Sequence, residues 1–453
     1  MENDAQTTEL QADDEPACPG SADDAPSVTI KPDWAAWASA LSTKRQSPAR
    51  AAMGLDPDRP IVMSGHQPIV FHNGILSKLI ALDEAAKRTN AQAVWIVPDQ
   101  DAVDPGRVRV PMGAGESLSA QMIELLPSGT VSPGVSVGSI ESAPIAEPEH
   151  ESLKPLAQWL DQYAAIGTLA QQFGYATIEY ACDQLGIDTP RLIFASELFQ
   201  ADAIMSIIDT MRVDPALCAQ SYNNAVAKYP NAGVRALVIE DDRIELPMWG
   251  CRANQVRVGI DSTNINDFAP AELMPKGVLM SAIARMHLAD LFIHGTGGWV
   301  YDRIAEDWFS EWLGIKLAPM AMATATHRLD LGFSPDETID AESAKWQVHH
   351  ARHTPAMVGD AEAQARKDEL VSQIHQIAPK DPQRAVLYRQ LQSLLDDFRH
   401  QHADELAGFV SQANRAQDLA QQYELAMDRT WSFVFFDQDA LAELNRATRR
   451  VMG

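Results

Sequence analysis

Three short segments gather residues whose types could do chemistry together. The first reads Ser64-Gly65-His66-Gln67-Pro68 and continues through His72, Asn73 and Gly74 to Lys78. A histidine beside a glycine turn can move a proton or, when charged, hold a phosphate or carboxylate. Lys78, about one helical turn further on, could reach the same anion. Gln67 and Asn73 suit ligand contacts, but equally the capping of a helix with Lys78 on its solvated face. The second segment carries Asp99, Asp101 and Asp104, with Arg107 and Arg109 close behind. Such carboxylates could orient an amine or hydroxyl, or hold Mg2+. They also suit an ordinary acidic turn. The third is His294-Gly295-Thr296-Gly297-Gly298, followed by Tyr301, Asp302 and Arg303. Glycine loops that open a helix let backbone N–H groups approach an anion, and they also permit a tight strand-to-helix turn. The candidates for catalysis are therefore His66, His72, Asp99 and Asp101. The candidates for binding a substrate or nucleotide are Gly65, Gln67, Asn73, Gly74, Lys78, Arg107, His294, Gly295, Thr296, Gly297, Gly298 and Tyr301.

Other chemistries have weaker support. The third segment has neither Walker spacing nor a G-x-G-x-x-G run. His349, His350 and His353 lack a carboxylate at zinc-protease spacing and read as decoration of a helix face. Cys18, Cys182, Cys218 and Cys251 include no C-x-x-C pair, so neither a zinc ribbon, a disulfide framework nor a cysteine nucleophile is expected. No metal ligand set is assigned.

The elements that must position these segments follow from apolar patterning. An apolar run at 61–63 leads into the first segment. Ile75, Leu79, Leu82 and Ala86 then recur at helical spacing, and a second apolar run covers 93–97. Strand, turn, helix, strand with a short connection predicts a parallel βαβ unit. Further strands are expected at 191–196 and 236–240, the latter in a hairpin with 244–246. A third apolar run at 290–294 leads to a helix carrying Ile304, Trp308 and Trp312. In parallel sheets ligands bind beyond the carboxyl ends of the strands, where all three segments fall. Residues 113–149, rich in Gly, Ser and Pro, read as a surface excursion. Leu391, Leu394, Leu395 and Phe398, and then Leu406, Phe409, Val410 and Ala413, keep helical spacing. They predict long antiparallel helices over 362–427, interrupted near 379–382. The apolar stretch 431–436 should dock on the main body.

The chain has 453 residues and a formal charge of −26. That acidity excludes a nucleic-acid-coating surface, and no apolar run is long enough for a membrane helix. Eight acidic residues and no Lys or Arg fall in 1–30, read as a disordered acidic tail without a signal peptide's features. The expected organisation is this tail, an α/β core at 31–345, a helical arm at 346–430 and a docking segment at 431–453. A cytoplasmic setting is expected from the sparse cysteines.

The first segment resembles the T-G-Q-Q-x-x-x-F-T-G-P … K stretch of the bacillithiol-biosynthesis cysteine-adding enzymes. Val94-Trp95-Ile96-Val97-Pro98-Asp99-Gln100-Asp101 sits where that family has F-W-x-A-x-E-D-H-D. Leu273-Met274-Pro275 … Val278-Leu279 resembles L-S-P … V-L-L-R-P, and the stretch from Phe292 to Tyr301 resembles Y-V-G-G-P-G-E-x-A-Y. The histidine of E-D-H-D is Ala102 here, the glutamate of G-P-G-E is Gly298, and the arginine of L-R-P is absent around Ser281. The resemblance implies a Rossmann-like parallel-sheet core with inserted segments and a C-terminal antiparallel coiled-coil arm. It further implies a ligase joining an amino acid, cysteine in the family, to a small amine or amino sugar. An anionic small-molecule substrate and an adenine nucleotide (ATP or ADP) would be bound, with Mg2+ left open. The arm could pair two copies into a homodimer. The alternative is a non-catalytic scaffold that kept the core and binds partners through the arm.

Overall fold

In the computed structural model of the chain, residues 25–333 and 340–453 are described. The strands among them are β1 Ser27–Lys31, β2 Ile61–Gly65, β3 Gln92–Val97, β4 Arg107–Met112, β5 Ser119–Glu124, β6 Arg191–Phe194, β7 Glu245–Gly250, β8 Val258–Asp261, β9 Leu273–Pro275, β10 Leu291–His294 and β11 Met320–Thr326. Six of them form one sheet in the order β1-β11-β10-β2-β3-β6. All neighbours are parallel except the β1–β11 pair. The fold is thus α/β. Helices cover both faces of such a sheet, which is why its central strands read as unbroken apolar runs. Ile61, Val62 and Met63 of β2, and Val94 and Ile96 of β3, have no exposed surface.

The expected βαβ unit is present: β2, the helix Asn73–Thr89, and β3, with Met63 in register with Val94. The β10 run likewise leads to the helix Thr296–Leu313, whose Trp308 stacks on Trp312 inside the core. Counted from β6, the parallel strands are third, second, first, fourth and fifth in chain order. The winding therefore reverses between β2 and β10, and in sheets of this kind the ligand crevice lies beyond the carboxyl ends of the strands at that reversal. A buried ion pair fixes the other end of these two strands. Arg50 Nη2 donates to Asp290 Oδ2 at 2.8 Å, and the same oxygen accepts from the Ile61 N–H at 2.8 Å.

Three expectations need correcting. Residues 1–24 lie outside the described residues, but the stretch read as tail already contains β1, whose Val28 pairs with Ala325. A period-two strand at a sheet edge is too short to stand out beside an acidic run. Residues 236–240 form no strand; only the isolated bridge Ile239–Ile244 marks that hairpin, because the run that pairs is β7 with β8 and β9. The segment read as a surface excursion buries Leu125, Val135 and Val137. Its apolar residues are too scattered to show a period.

The chain divides into two compact units. One comprises the chain up to Val110, Gln121–Leu329 and Arg429–Gly453; the other comprises Pro111–Ala120 and Asp330–Asp428. The second unit contains the helices Ala341–Ala351, Ala361–Gln376, Pro382–Gln401 and Ala403–Met427. It thus starts earlier than the expected arm and takes in a short stretch far upstream. Leu370 and Ile374 pack with Leu391 and Leu395 across the break that precedes Pro382. A second break falls at His402. Of the later stripe only Ala413 is buried, and Val410 is exposed. The first unit regains the chain at Arg429; Trp431 and Phe433 are both buried, and the Phe433 N–H donates to Phe71 O at 3.0 Å.

Candidate functional site

Gly65 ends β2, and a Cβ there would lie 2.2 Å from Ile96 O, so only glycine lets β2 and β3 approach so closely at that point. Its carbonyl accepts from Lys78 Nζ at 2.7 Å. Lys78 is 4% exposed, reaches back from the helix after β2, and lies against the Trp95 ring. A Cβ added to Gly295 would meet Lys78 Cδ at 3.9 Å, so this lysine stands between the β2 and β10 ends, where the winding reverses. Burial lowers its pKa to about 7. His66, edge-on to Phe71, is held well below the usual histidine range by burial, with Lys78 and His72 adding repulsion.

His72 serves locally as the helix N-cap, its Nδ1 accepting from the Gly74 N–H at 3.0 Å. Gly74 is buried beneath that ring. Asn73 is fully buried and bonds His327 Nδ1 at 2.9 Å, while its Oδ1 has no partner. His72, expected to be catalytic, and Gly74, expected to bind, thus form the start of the helix, while Asn73, also expected to bind, ties that start to His327.

Asp99 and Asp101 diverge. The Asp99 carboxylate accepts from Ser196 N–H and Oγ, capping the short helix after β6. Its backbone O accepts from Ser136 Oγ at 2.7 Å and the Gly138 N–H at 2.8 Å, so the supposed excursion is sewn onto the end of β3. Burial raises its pKa to about 6 against the opposing Ser196 bonds. Asp101 accepts instead from Gln67 Nε2 at 2.7 Å and faces Arg257 at 3.7 Å. Burial raises its pKa too, opposed by Gln67 and then Arg257. Asp104 accepts from the Gly106 N–H within its own turn. The three carboxylates therefore have separate partners. Among the described residues no group of three or more His, Cys, Asp or Glu side chains is arranged to hold a metal ion.

On the other side of the crevice, His294 is 4% exposed and its Nε2 meets Asp302 Oδ2 at 2.9 Å. The His294 ring lies so close to the helix that a Cβ on Gly298 would fall 2.4 Å from Nδ1. Asp302 also binds Arg285 Nη1 at 2.5 Å and accepts from Ser281 Oγ. Burial alone would raise the Asp302 pKa, but His294, Arg285 and Ser281 outweigh it and bring it to about 2. Arg285, with no exposed surface, further contacts Glu306 and donates to Ala318 O at 2.8 Å. The Tyr301 ring meets that of His294 edge-on at 6.2 Å, and burial, then the neighbouring Asp302 and Asp101, raise its pKa. Thr296 and Gly298 are half-buried at the helix start, and Gly297 is exposed with nothing within 4 Å of a built Cβ.

The basic residues that sequence spacing grouped with this crevice separate. Arg107 is on β4, exposed, and pairs with Glu124 at 3.1 Å. Arg109 lies over Trp431 at 4.4 Å. Arg303 is exposed beside Trp299. Arg107 and Arg109, two residues apart on β4, share one face of that strand and are engaged by Glu124 and Trp431. Sequence reading missed Arg285, Ser281 as a partner of Asp302, and Arg257. The first two had a signal: the buried arginine stands one helical turn beyond the position where the resemblance finds it absent. Arg257, between two short strands of another sheet, had none.

No protein-family model matches the chain, and no curated protein matches it in sequence.

Proposed function

We propose that this chain is a ligase with a Rossmann-like core, forming a carbon–nitrogen bond between an amino acid and a small amine or amino sugar. The observation that carries the reading is Lys78, a buried lysine held near neutrality where the winding reverses, with the His294–Asp302 pair across the crevice. The strand order is that of dinucleotide-binding sheets, whose ligands sit at this reversal. Lys78 fits an anion such as a nucleotide phosphate or a substrate carboxylate: arrival of negative charge restores its proton and replaces its bond to Gly65 O. His294, oriented by Asp302, is the proton carrier for the attacking amine, and Arg285 and Ser281 keep Asp302 ionised for that role. Gln67 is fixed by Asp101 for contact with the ligand. An adenine nucleotide would supply the activation of the acid. The separate partners of Asp99 and Asp101 do not fit a shared Mg2+.

Thermal-shift screening against ATP, ADP, malate, amino sugars and cysteine tests the reading. A shift with one of these that disappears in Lys78→Met supports it. No shift with any, or a shift that persists in that variant, overturns it. Calorimetry in buffers of differing ionisation enthalpy should in addition show proton uptake on binding above about pH 7, as Lys78 recharges. The helical unit is proposed to be a coiled-coil arm that pairs two copies. Exposed Val386, Tyr388, Val410 and Tyr423 on its helices support this. An unchanged mass in light scattering for Val410→Asp with Tyr423→Glu would refute it.

A further inference from the structure

A cavity of about 350 Å3 opens beside Tyr301 in the first unit. Its polar wall is Arg235, Glu245 and Lys276, and Leu237 and Val278 supply apolar lining. Glu245 is fully engaged: Oε1 accepts from Arg235 Nη2 at 2.5 Å and Lys276 Nζ at 2.7 Å, and Oε2 from Arg235 Nη1 at 2.8 Å and the Val238 N–H at 3.1 Å. A carboxylate offers about four acceptor sites, so this one has little left for a ligand. The donors are not used up. Lysine has three N–H groups, of which Lys276 gives one to Glu245 while lying over Trp249 at 4.6 Å. Arg235 gives two to Glu245 and one to Ala236 O, out of five. Two cations against one anion leave a single surplus positive charge, with spare donors and filled acceptors.

We infer that this cavity binds a small carboxylate bearing a short apolar arm, the carboxylate on Lys276 and Arg235 and the arm against Leu237 and Val278. The filled acceptors disfavour an ammonium. One surplus charge matches a monoanion better than a phosphate dianion, and the apolar lining requires something other than a bare ion. Tyr301, which also packs on His294, joins the cavity to the crevice, so the bound acid lies on the path to the candidate proton carrier. The assignment goes beyond the proposed reaction and does not require it.

Calorimetric titration of the full chain with acetate, butyrate, butylamine and inorganic phosphate tests it. Butyrate should bind saturably and more tightly than acetate, with neither butylamine nor phosphate displacing it. Lys276→Met, which keeps the stem, should weaken butyrate about tenfold. Val278→Trp, which fills the cavity without touching a charge, should abolish the preference for butyrate over acetate and so decides the matter if the lysine variant fails to fold. Absence of saturable butyrate binding, displacement by phosphate, or equal affinity in both variants would overturn the inference. Lys78→Met should leave butyrate binding intact, which separates failure here from failure of the proposed reaction.

Discussion

Replacing Lys78 by methionine should make the protein more stable, and by an amount that depends on pH. The side chains are similar in length, so packing against Trp95 is largely kept. The lysine's pKa falls from 10.5 to about 7 on folding, because burial disfavours the ammonium. At about pH 6 the folded amine is still mostly charged, and the penalty is close to its full size, about 5 kcal/mol for a shift of this extent. The substitution also removes the bond to Gly65 O, which costs about 1–3 kcal/mol if that carbonyl stays buried without a donor. The net gain at about pH 6 is therefore about 2–4 kcal/mol. The sign follows from proton counting. Between 7 and 10.5 the unfolded chain binds more protons at this site than the folded one, so wild-type stability rises with pH through that window. By about pH 9 the penalty should have shrunk by about 3 kcal/mol, and the methionine variant's advantage with it. Urea melts of both proteins across this range, read by far-ultraviolet circular dichroism, give the difference directly. A stability difference that stays constant with pH would show that Lys78 is not desolvated in the folded state and would remove the basis for its role in anion binding.

Gly298→Ala should displace the His294 ring, since a methyl there would lie 2.4 Å from Nδ1, whereas Gly297→Ala meets open space; ligand-induced thermal shifts should fall in the first variant and persist in the second. Asp302→Asn leaves the buried Arg285 guanidinium with only the part-exposed Glu306 as a charged partner and should cost about 3 kcal/mol. Asp302→Asn combined with Arg285→Met should recover part of that loss, and strict additivity in a double-mutant cycle would contradict the pairing. Phe433→Ala should cost about 3–5 kcal/mol, because a fully buried ring against Phe71 and Tyr180 is lost; a change in Tm of under a degree would argue against the docked segment.

The parts of the fold legible in sequence were those with local signals. The β2–helix–β3 unit and the β10–helix unit announce themselves by apolar runs that end in glycine and resume at helical spacing. The crevice followed, since the loops at strand ends must meet there. What stayed hidden depends on partners distant in sequence. Ser136 and Gly138 bind Asp99 from 37 and 39 residues away, and nothing in their own neighbourhood marks them as its partners. Arg257 reaches Asp101 from a sheet whose strands are three to six residues long. Arg107 and Arg109 misled for the opposite reason: nearness along the chain suggested nearness to the crevice, but a strand carries them to Glu124 and Trp431.

The way the chain enters and leaves its helical unit has an engineering consequence. Both flanks of the long inserted stretch end within the first unit, where Arg429 Nη1 donates to Thr326 Oγ1 at 3.1 Å. Two chain ends that already touch can be rejoined by a few residues, at a loop-closure cost that grows only slowly with linker length. Asp330–Asp428 thus leaves and returns at one place, and exchanging it requires in addition only that the short Pro111–Ala120 stretch of the same unit be replaced by a turn. The same geometry offers the gap between Thr326 and Arg429 as a socket for a foreign domain, and makes the α/β sheet a scaffold whose appendage can be chosen separately from its crevice.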